Sequence, residues 1–471
     1  MKTLRRLPSL VVALTVGAAS PALAQRTPST VQTVTRPVNL SLESYQLDNG
    51  LNVILSRDTS VPVVAVNIWY HVGSANEEPG RTGFAHLFEH MMFQGSRNVG
   101  ENEHFRLIEE AGGDLNGSTT SDRTNYFEAV PSNFLERVLW QESDRMGFLL
   151  SAMTQEKLDN QRSVVQNERR QNYDNAPYGL AYETMLAAIY PPDHPYSWPT
   201  IGSLTDLEAA SLEDVQAFFR RYYAPNNASL VIVGDFEPDQ TRAWVERYFG
   251  GIPAGPPIVR PSPAPVRLNG EKKVVLEDRV QLPRVTISWV TPAFFQPDDA
   301  DLDFVGSILG GGRSSRLYQR LVYEDQIAQS VSASQQSRPL GSLFAVTVTA
   351  RPGVDLSRIV AVVDEEIAKL RSEPPTDREV RAALNNFEAG FIQGMQTALG
   401  RADQINMYAT YTGDPAFIER DYARYAAITP ASVHAAVQRY LTNDRVVLSV
   451  VPEEQTNLQA MDSSISPLVT R

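Results

Sequence analysis

Proline is densest in the stretch "IPAGPPIVRPSPAP", Ile252 to Pro265 of the 471-residue chain. No other stretch limits the fold as strongly. Proline fixes φ and has no amide hydrogen to donate, so neither a helix interior nor a central strand can run through this segment. The chain must therefore be built as two units joined by an extended connection. The sequence predicts a first unit over 40–250, a linker over 251–267, a second unit over 268–455 and a tail over 456–471.

The two units read as copies of one pattern. "SLEDVQAFFRRYYAPNNASLVIVGDFE", from Ser211, parallels "TPASVHAAVQRYLTNDRVVLSVVPEE", from Thr429, with Val215 over Val433, Arg221 over Arg439 and Tyr222 over Tyr440. Nearer the start of each unit, "VPVVAVNIWYHVGS" faces "LPRVTISWVTPAF", which sets Val64, Val66 and Ile68 over Val285, Ile287 and Trp289. The offsets, 218 and 221 residues, agree closely enough to indicate one duplicated unit. Apolar residues at every second position predict half-buried strands. Strand pairs followed by several helices and a closing strand predict an α+β fold with two homologous domains, each a mainly antiparallel sheet flanked by helices.

The composition removes several function classes. A net charge of -13 leaves no basic surface for nucleic acid or anionic membranes. Cysteine is absent, so disulfides, thiolate metal sites and cysteine nucleophiles are excluded. At the N-terminus, Lys2, Arg5 and Arg6 precede an apolar run that ends in "ALA" at Ala22 to Ala24. This pattern predicts a signal peptide over 1–24, too short for a stable membrane anchor, and export to the periplasm.

One apolar segment carries three groups that are costly to bury: "FAHLFEHMMFQGS", residues 84–96. Its spacing predicts a helix stopped near Gly95, with His86, Glu89 and His90 at i, i+3 and i+4 on one face. Two imidazoles one turn apart suit a single zinc ion, and a carboxylate beside them can take a proton from water. The same residues could instead be hydrogen-bonded core histidines and a paired charge. With six histidines in the chain, however, a chance H-x-x-E-H is expected on the order of 0.005 times. A hydrolytic zinc usually takes a third protein ligand, and Glu168, in a helix-like segment with Val164 and Val165 on or near its face, is the candidate.

H-L-F-E-H with a glutamate 78 residues further on resembles the inverzincin family of pitrilysin, insulin-degrading enzyme and the mitochondrial processing peptidase. "AGGDLNGSTTSDRTNYFEAVP", "HPYSWPTIGS" and "YYAPNNASLVIVGDF" are similar to stretches that follow the motif there. The resemblance implies a zinc metalloendopeptidase subunit forming half of a clamshell chamber. It implies one zinc per chain, held by His86, His90 and Glu168, with Glu89 as general base. It also implies that the strand at Asn116 and Gly117 pairs with an extended peptide substrate.

The sequence departs from the family pattern in two places. Gln161 stands where many members have a second glutamate supporting the site, and it can hydrogen-bond but brings no charge. In the second unit, positions that usually carry Arg and Tyr for the developing oxyanion fall on Val322 and Gln329; a slip in register would bring in Arg320 or Tyr323. The resemblance therefore implies a heterodimer with a metal-free homologue supplying Arg and Tyr, with a homodimer as the alternative. A non-enzymatic structural or peptide-binding member is the competing reading.

Overall fold

Each half places its apolar runs at the centre of a six-stranded sheet. The first sheet consists of β1 (Glu43–Gln46), β2 (Asn52–Arg57), β3 (Val63–Tyr70), β4 (Asp114–Thr119), β5 (Thr124–Pro131) and β6 (Ala228–Gly234), in the order β1-β2-β6-β3-β5-β4. The second contains β7 (Lys272–Asp278), β8 (Arg284–Thr291), β9 (Ala328–Gln336), β10 (Ser342–Ala350), β11 (Val446–Pro452) and β12 (Ser464–Ile465), in the order β12-β7-β11-β8-β10-β9. The computed structural model describes residues 41–466, so the segment read as a signal peptide lies outside the described residues.

Five strands of the two orders correspond one to one, and the sixth differs: β1 precedes β2 and pairs with it antiparallel, whereas β12 follows all the others and pairs with β7 in parallel. In each sheet the strand that closes the unit, β6 or β11, is inserted between a parallel and an antiparallel neighbour. The other pairings are antiparallel, apart from the short parallel pair of β12 with β7. Val64, Val66 and Ile68 of β3 and Val285, Ile287 and Trp289 of β8 are all buried. Each fully buried aliphatic side chain of this kind stabilises the fold by roughly 1.5–3 kcal/mol.

β3 departs from the expected half-buried pattern, because seven of its eight residues are buried, on both faces. The cause is a helix contributed by the other half. Ala398, Ala402 and Ile405 of helix Ala398–Thr412 pack on Ile54, Ala65, Val231 and Val233 of the first sheet. Asn406 on that helix donates to the Asn67 carbonyl at 2.9 Å. The first half reciprocates: Met185, Leu186 and Ile189 of helix Ala181–Ile189 pack on Val274, Leu276 and Val446 of the second sheet. Each sheet is thus covered on one face by its own helices and on the other by a helix of its homologue.

The linker is strapped down on the first half. Asn226 and Gly255 exchange hydrogen bonds of 3.0 and 2.8 Å, and Arg260 donates to Asn227 Oδ1 at 2.6 Å. Residues 456–466, expected as part of a tail, end instead in β12 on the edge of β7. The open edge of β7 offers backbone partners that a two-residue strand can use, and Ser449 Oγ accepts from the Ala460 amide at 2.9 Å.

Candidate metal centre and active site

The helix that carries the H-x-x-E-H motif spans Phe84–Met91 and buries Phe84, Ala85, Leu87, Phe88 and Met91. It begins after Gly83, which adopts the left-handed conformation (φ 86°) and supplies no side-chain cap. A Cβ there would lie 2.7 Å from the Ile201 carbonyl oxygen, so the position requires glycine on two counts. The missing cap comes from Glu77, whose two carboxyl oxygens accept from the amides of Gly83 (3.0 Å) and Ala85 (2.8 Å). Burial pushes the Glu77 carboxyl up to about 8, against the lowering effect of these amides.

Opposite stands the helix Gln155–Arg169, capped by Thr154 Oγ1 accepting from the Lys157 amide at 3.3 Å. Its inward face carries Leu158, Gln161 and Val165; Val164, expected on or near that face, points outward and is 41% exposed. Arg169, fully buried, anchors the end of the helix by donating to the Gly202 carbonyl (2.5 Å) and to Glu183 (2.8 Å). Glu168, its neighbour, is thereby held toward the histidines.

Glu168 Oε2 lies 3.4 Å from His90 Nε2 and 3.7 Å from His86 Nε2. The three groups offer ligand atoms all within 4.8 Å of one another, and no other such group occurs among the described residues. A tetrahedral ion with bonds of about 2.0–2.2 Å holds its ligands about 3.3–3.6 Å apart, so this donor set fits zinc. Burial, together with the neighbouring His90, lowers the His86 imidazole to about 4 against the pull of Glu168, keeping it neutral as a ligand must be. Burial also depresses His90, but hydrogen bonds to Glu168 and Gln161 and the charge of Glu89 outweigh it and raise the group. The hydrogen bond from His90 holds the Glu168 carboxyl below its ordinary value.

Glu89 shares the helix face but is held apart from this trio by Thr119 of β4, whose hydroxyl donates to Glu89 Oε2 at 2.5 Å. Burial raises the Glu89 carboxyl, and the Thr119 hydrogen bond, His90 and Arg123 oppose that rise. A carboxylate raised toward neutrality is suited to take a proton and return it. Among the described residues β4 is the last strand of its sheet and pairs only with β5, which leaves one backbone edge open. Asn116 and Gly117 lie in the middle of that edge strand, and Asn116 Oδ1 accepts from the Gly117 amide at 2.8 Å.

The second half brings no comparable group together among the described residues. Val322 lies in the turn of helix Tyr318–Glu324, and Gln329 is an exposed residue of β9. The register alternatives do not restore the pattern: Arg320 is engaged by Asp325 and Glu365, both at 3.4 Å, and Tyr323 is 70% exposed. Of the other histidines, His104 packs on Gln141 at 2.8 Å, His194 accepts from the Tyr196 amide at 3.0 Å, and His434 bonds the Arg371 carbonyl at 3.0 Å.

Sequence reasoning missed Glu77 and Thr119. A helix that starts after Gly83 without a capping side chain needs acceptors from elsewhere, and that need was the available signal for Glu77. Thr119 follows the Asn-Gly pair on its strand, but only the fold shows which way its hydroxyl turns.

Residues 52–201 match the family model for insulinase, peptidase family M16, and residues 209–387 match that for the peptidase M16 inactive domain. The chain is 29% identical over 373 residues to zinc protease PqqE of Helicobacter pylori, covering 78% of this chain and 83% of that protein. It superimposes on the crystal structure of a protease from Helicobacter pylori with a TM-score of 0.83 and 26% identity, covering 88% of this chain and all of the other. The first half of the periplasmic protease PqqL from Escherichia coli shares the fold, with a TM-score of 0.71 at 19% identity over 89% of this chain and 94% of that one.

Proposed function

Because the chain belongs to the insulinase family of peptidases, M16, we propose that it is a zinc metalloendopeptidase subunit hydrolysing unstructured peptides. The observation that carries this reading is the convergence of His86, His90 and Glu168 beside a separately held Glu89. His86 Nε2, His90 Nε2 and Glu168 Oε2 would hold the zinc. When bound, zinc supplies a Lewis acid that polarises the scissile carbonyl and makes water acidic enough to attack near neutral pH.

The chain's own residues do the rest. The open edge of β4 at Asn116 and Gly117 binds the peptide as an added strand and aligns it with the helix Phe84–Met91. Glu89 takes a proton from the attacking water and passes it to the departing amine nitrogen. Thr119 holds the carboxylate toward the peptide, and Phe88 and Leu87, fully buried, exclude bulk water beneath the site. Gln161 orients His90 by a neutral hydrogen bond.

The stabilising Arg and Tyr are missing at Val322 and Gln329, so a metal-free homologous partner supplies them, and the pair acts in the periplasm. The same absence favours the second reading, a peptide-binding member without activity. Metal analysis of the purified chain, followed by peptide hydrolysis with and without a homologue that lacks H-x-x-E-H and is encoded in an adjacent reading frame, decides between them. We expect one zinc per chain, lost in Glu168→Ala, and hydrolysis raised at least about tenfold by the partner. Zinc-free protein, or full activity of the chain alone, would overturn the corresponding part of the reading.

A further inference from the structure

Thr119, the residue that holds Glu89, also opens into a cavity of about 460 Å³ to which both halves contribute. Its wall continues from Thr119 through Arg123 and is completed by Trp69, Tyr182, Arg338 and Tyr411. A peptide lying along β4 with its scissile bond at Glu89 therefore has this cavity beside one of the two residues flanking that bond.

The cavity contains two guanidinium groups that form no direct ion pair among the described residues. Arg338 is mostly buried and makes no ion pair among the described residues. One of its terminal nitrogens donates to the Tyr182 hydroxyl, and its guanidinium lies 5.2 Å from the centre of the Tyr196 ring. Its Nη1 is buried with no partner. A buried guanidinium with an unused donor is costly to maintain, and a carboxylate is the ligand that most fully offsets that cost.

Arg123, across the cavity, donates only to neutral oxygens: the Ser118 carbonyl (2.8 Å), Ser118 Oγ (2.5 Å) and Asn125 Oδ1 (3.1 Å). Its guanidinium lies 5.0 Å from the Trp69 ring centre. The one opposing group in the wall is Asp122, which accepts from the Tyr196 hydroxyl at 2.7 Å, and burial raises its carboxyl to about 6. Asp403 accepts from Trp69 Nε1 and Asn67 Nδ2, both at 3.2 Å, and its charge acts on Arg123. Arg123 is offset at a distance by Asp403 and Glu89, whereas Arg338 faces Asp122 and tyrosines, between aromatic walls that suit a short methylene chain.

We propose that this cavity receives the acidic side chain of a substrate residue next to the scissile bond, its carboxylate pairing with the guanidinium of Arg338. This deepens the peptidase reading and rests on it for the placement of the scissile bond. Two unstructured, internally quenched peptides, uncharged elsewhere and differing only in a single Glu or Gln, test it with the zinc-loaded full chain and its homologous partner. We expect kcat/KM at least about tenfold higher for the Glu peptide, with cleavage mapped beside the Glu by mass spectrometry. In Arg338→Gln the ratio between the peptides should fall to about one, and in Arg338→Lys, which keeps the charge, part of the preference should remain. A ratio near one in the native protein, or one unchanged in Arg338→Gln, overturns the proposal.

Binding separates this outcome from failure of the peptidase reading. Fluorescein-labelled versions of the two peptides are titrated into the Glu89→Gln protein and followed by anisotropy. Tighter binding of the Glu peptide without hydrolysis by the native chain would sink the catalytic reading and keep the cavity's selectivity. Equal binding of both would sink the selectivity.

Discussion

The two sheets share one strand order, yet the helices that follow their matching central strands meet the edge strands in different ways. In the first half, Phe84–Met91 presents His86 and His90 to Glu168, while Glu89 is held by Thr119 of the edge strand β4. In the second, Asp299–Gly310 lies directly on the edge strand β9 through Gly306 and Gly310. A Cβ on Gly310 would stand 2.3 Å from the Ala333 amide nitrogen, and one on Gly306 3.1 Å from the Ala333 carbonyl oxygen. At the 221-residue offset, His86, Glu89 and His90 align with Ser307, Gly310 and Gly311. Small residues let backbone meet backbone and close the space; large polar ones hold it open. In the second half the helix and edge strand are closed together at Gly306 and Gly310, where at the same offset the first half carries Ala85 and Glu89.

The largest expected effect lies where the halves differ most. Glu89→Gln keeps the size of the side chain and removes the proposed base, so kcat/KM for peptide hydrolysis should fall about 10³-fold while zinc content stays at one per chain. Hydrolysis within tenfold of the native rate would place the base elsewhere and remove the chemical contrast between the halves.

The helix of the second half has a buried acid of its own, Asp303, which accepts from the Tyr425 hydroxyl at 2.7 Å. Burial raises its carboxyl from 3.8 to about 7. The folded state thus favours the protonated form. The resulting stability is fully present below about 3.8 and is lost as pH rises through about 7. Asp303→Asn cannot titrate, so its stability relative to the native chain should improve by roughly 2–4 kcal/mol from pH 4 to pH 7. Denaturant melts at the two pH values measure this, and a difference that does not change with pH would show that Asp303 is ionised in the fold.

Much of this asymmetry was legible in the sequence, for a physical reason. His86, Glu89 and His90 are placed by one helix, whose period fixes their common face, and β3 and β8 show their kinship by aligned apolar residues. Contacts made through tertiary packing were not legible. Period-2 alternation cannot tell that Ala398–Thr412 crosses to cover the outer face of β3, nor that residues after 456 return as β12. Glu77 reaches the helix N-terminus through a loop, and Arg338 joins Arg123 in one cavity only because the two halves fold together. Val164 was misplaced because neighbouring helix positions diverge by about 100°, and only one of Val164 and Val165 can face the core.

Glycine packing gives the two smallest effects, and they test the contrast from its structural side. Gly310→Ala should lower stability by about 1–3 kcal/mol, because the new methyl meets the backbone of Ser332 and Ala333, which cannot rotate away. Gly117→Ala, on the edge strand of the first half, should cost less than about 1 kcal/mol when both variants are followed by denaturant melts. Its Cβ would meet a side-chain atom of Phe93 at 3.1 Å, and the Asn125 carbonyl oxygen and Tyr126 Cδ1 at 3.2 Å. Contacts this close need the neighbours to yield by only a few tenths of an ångström, and alanine recovers roughly 0.5–1 kcal/mol of backbone entropy that glycine loses on folding. A loss from Gly117→Ala as large as that from Gly310→Ala would mean that β4 is held as tightly as β9. The two halves would then differ in the side chains on their helices and not in how tightly their edge strands are held.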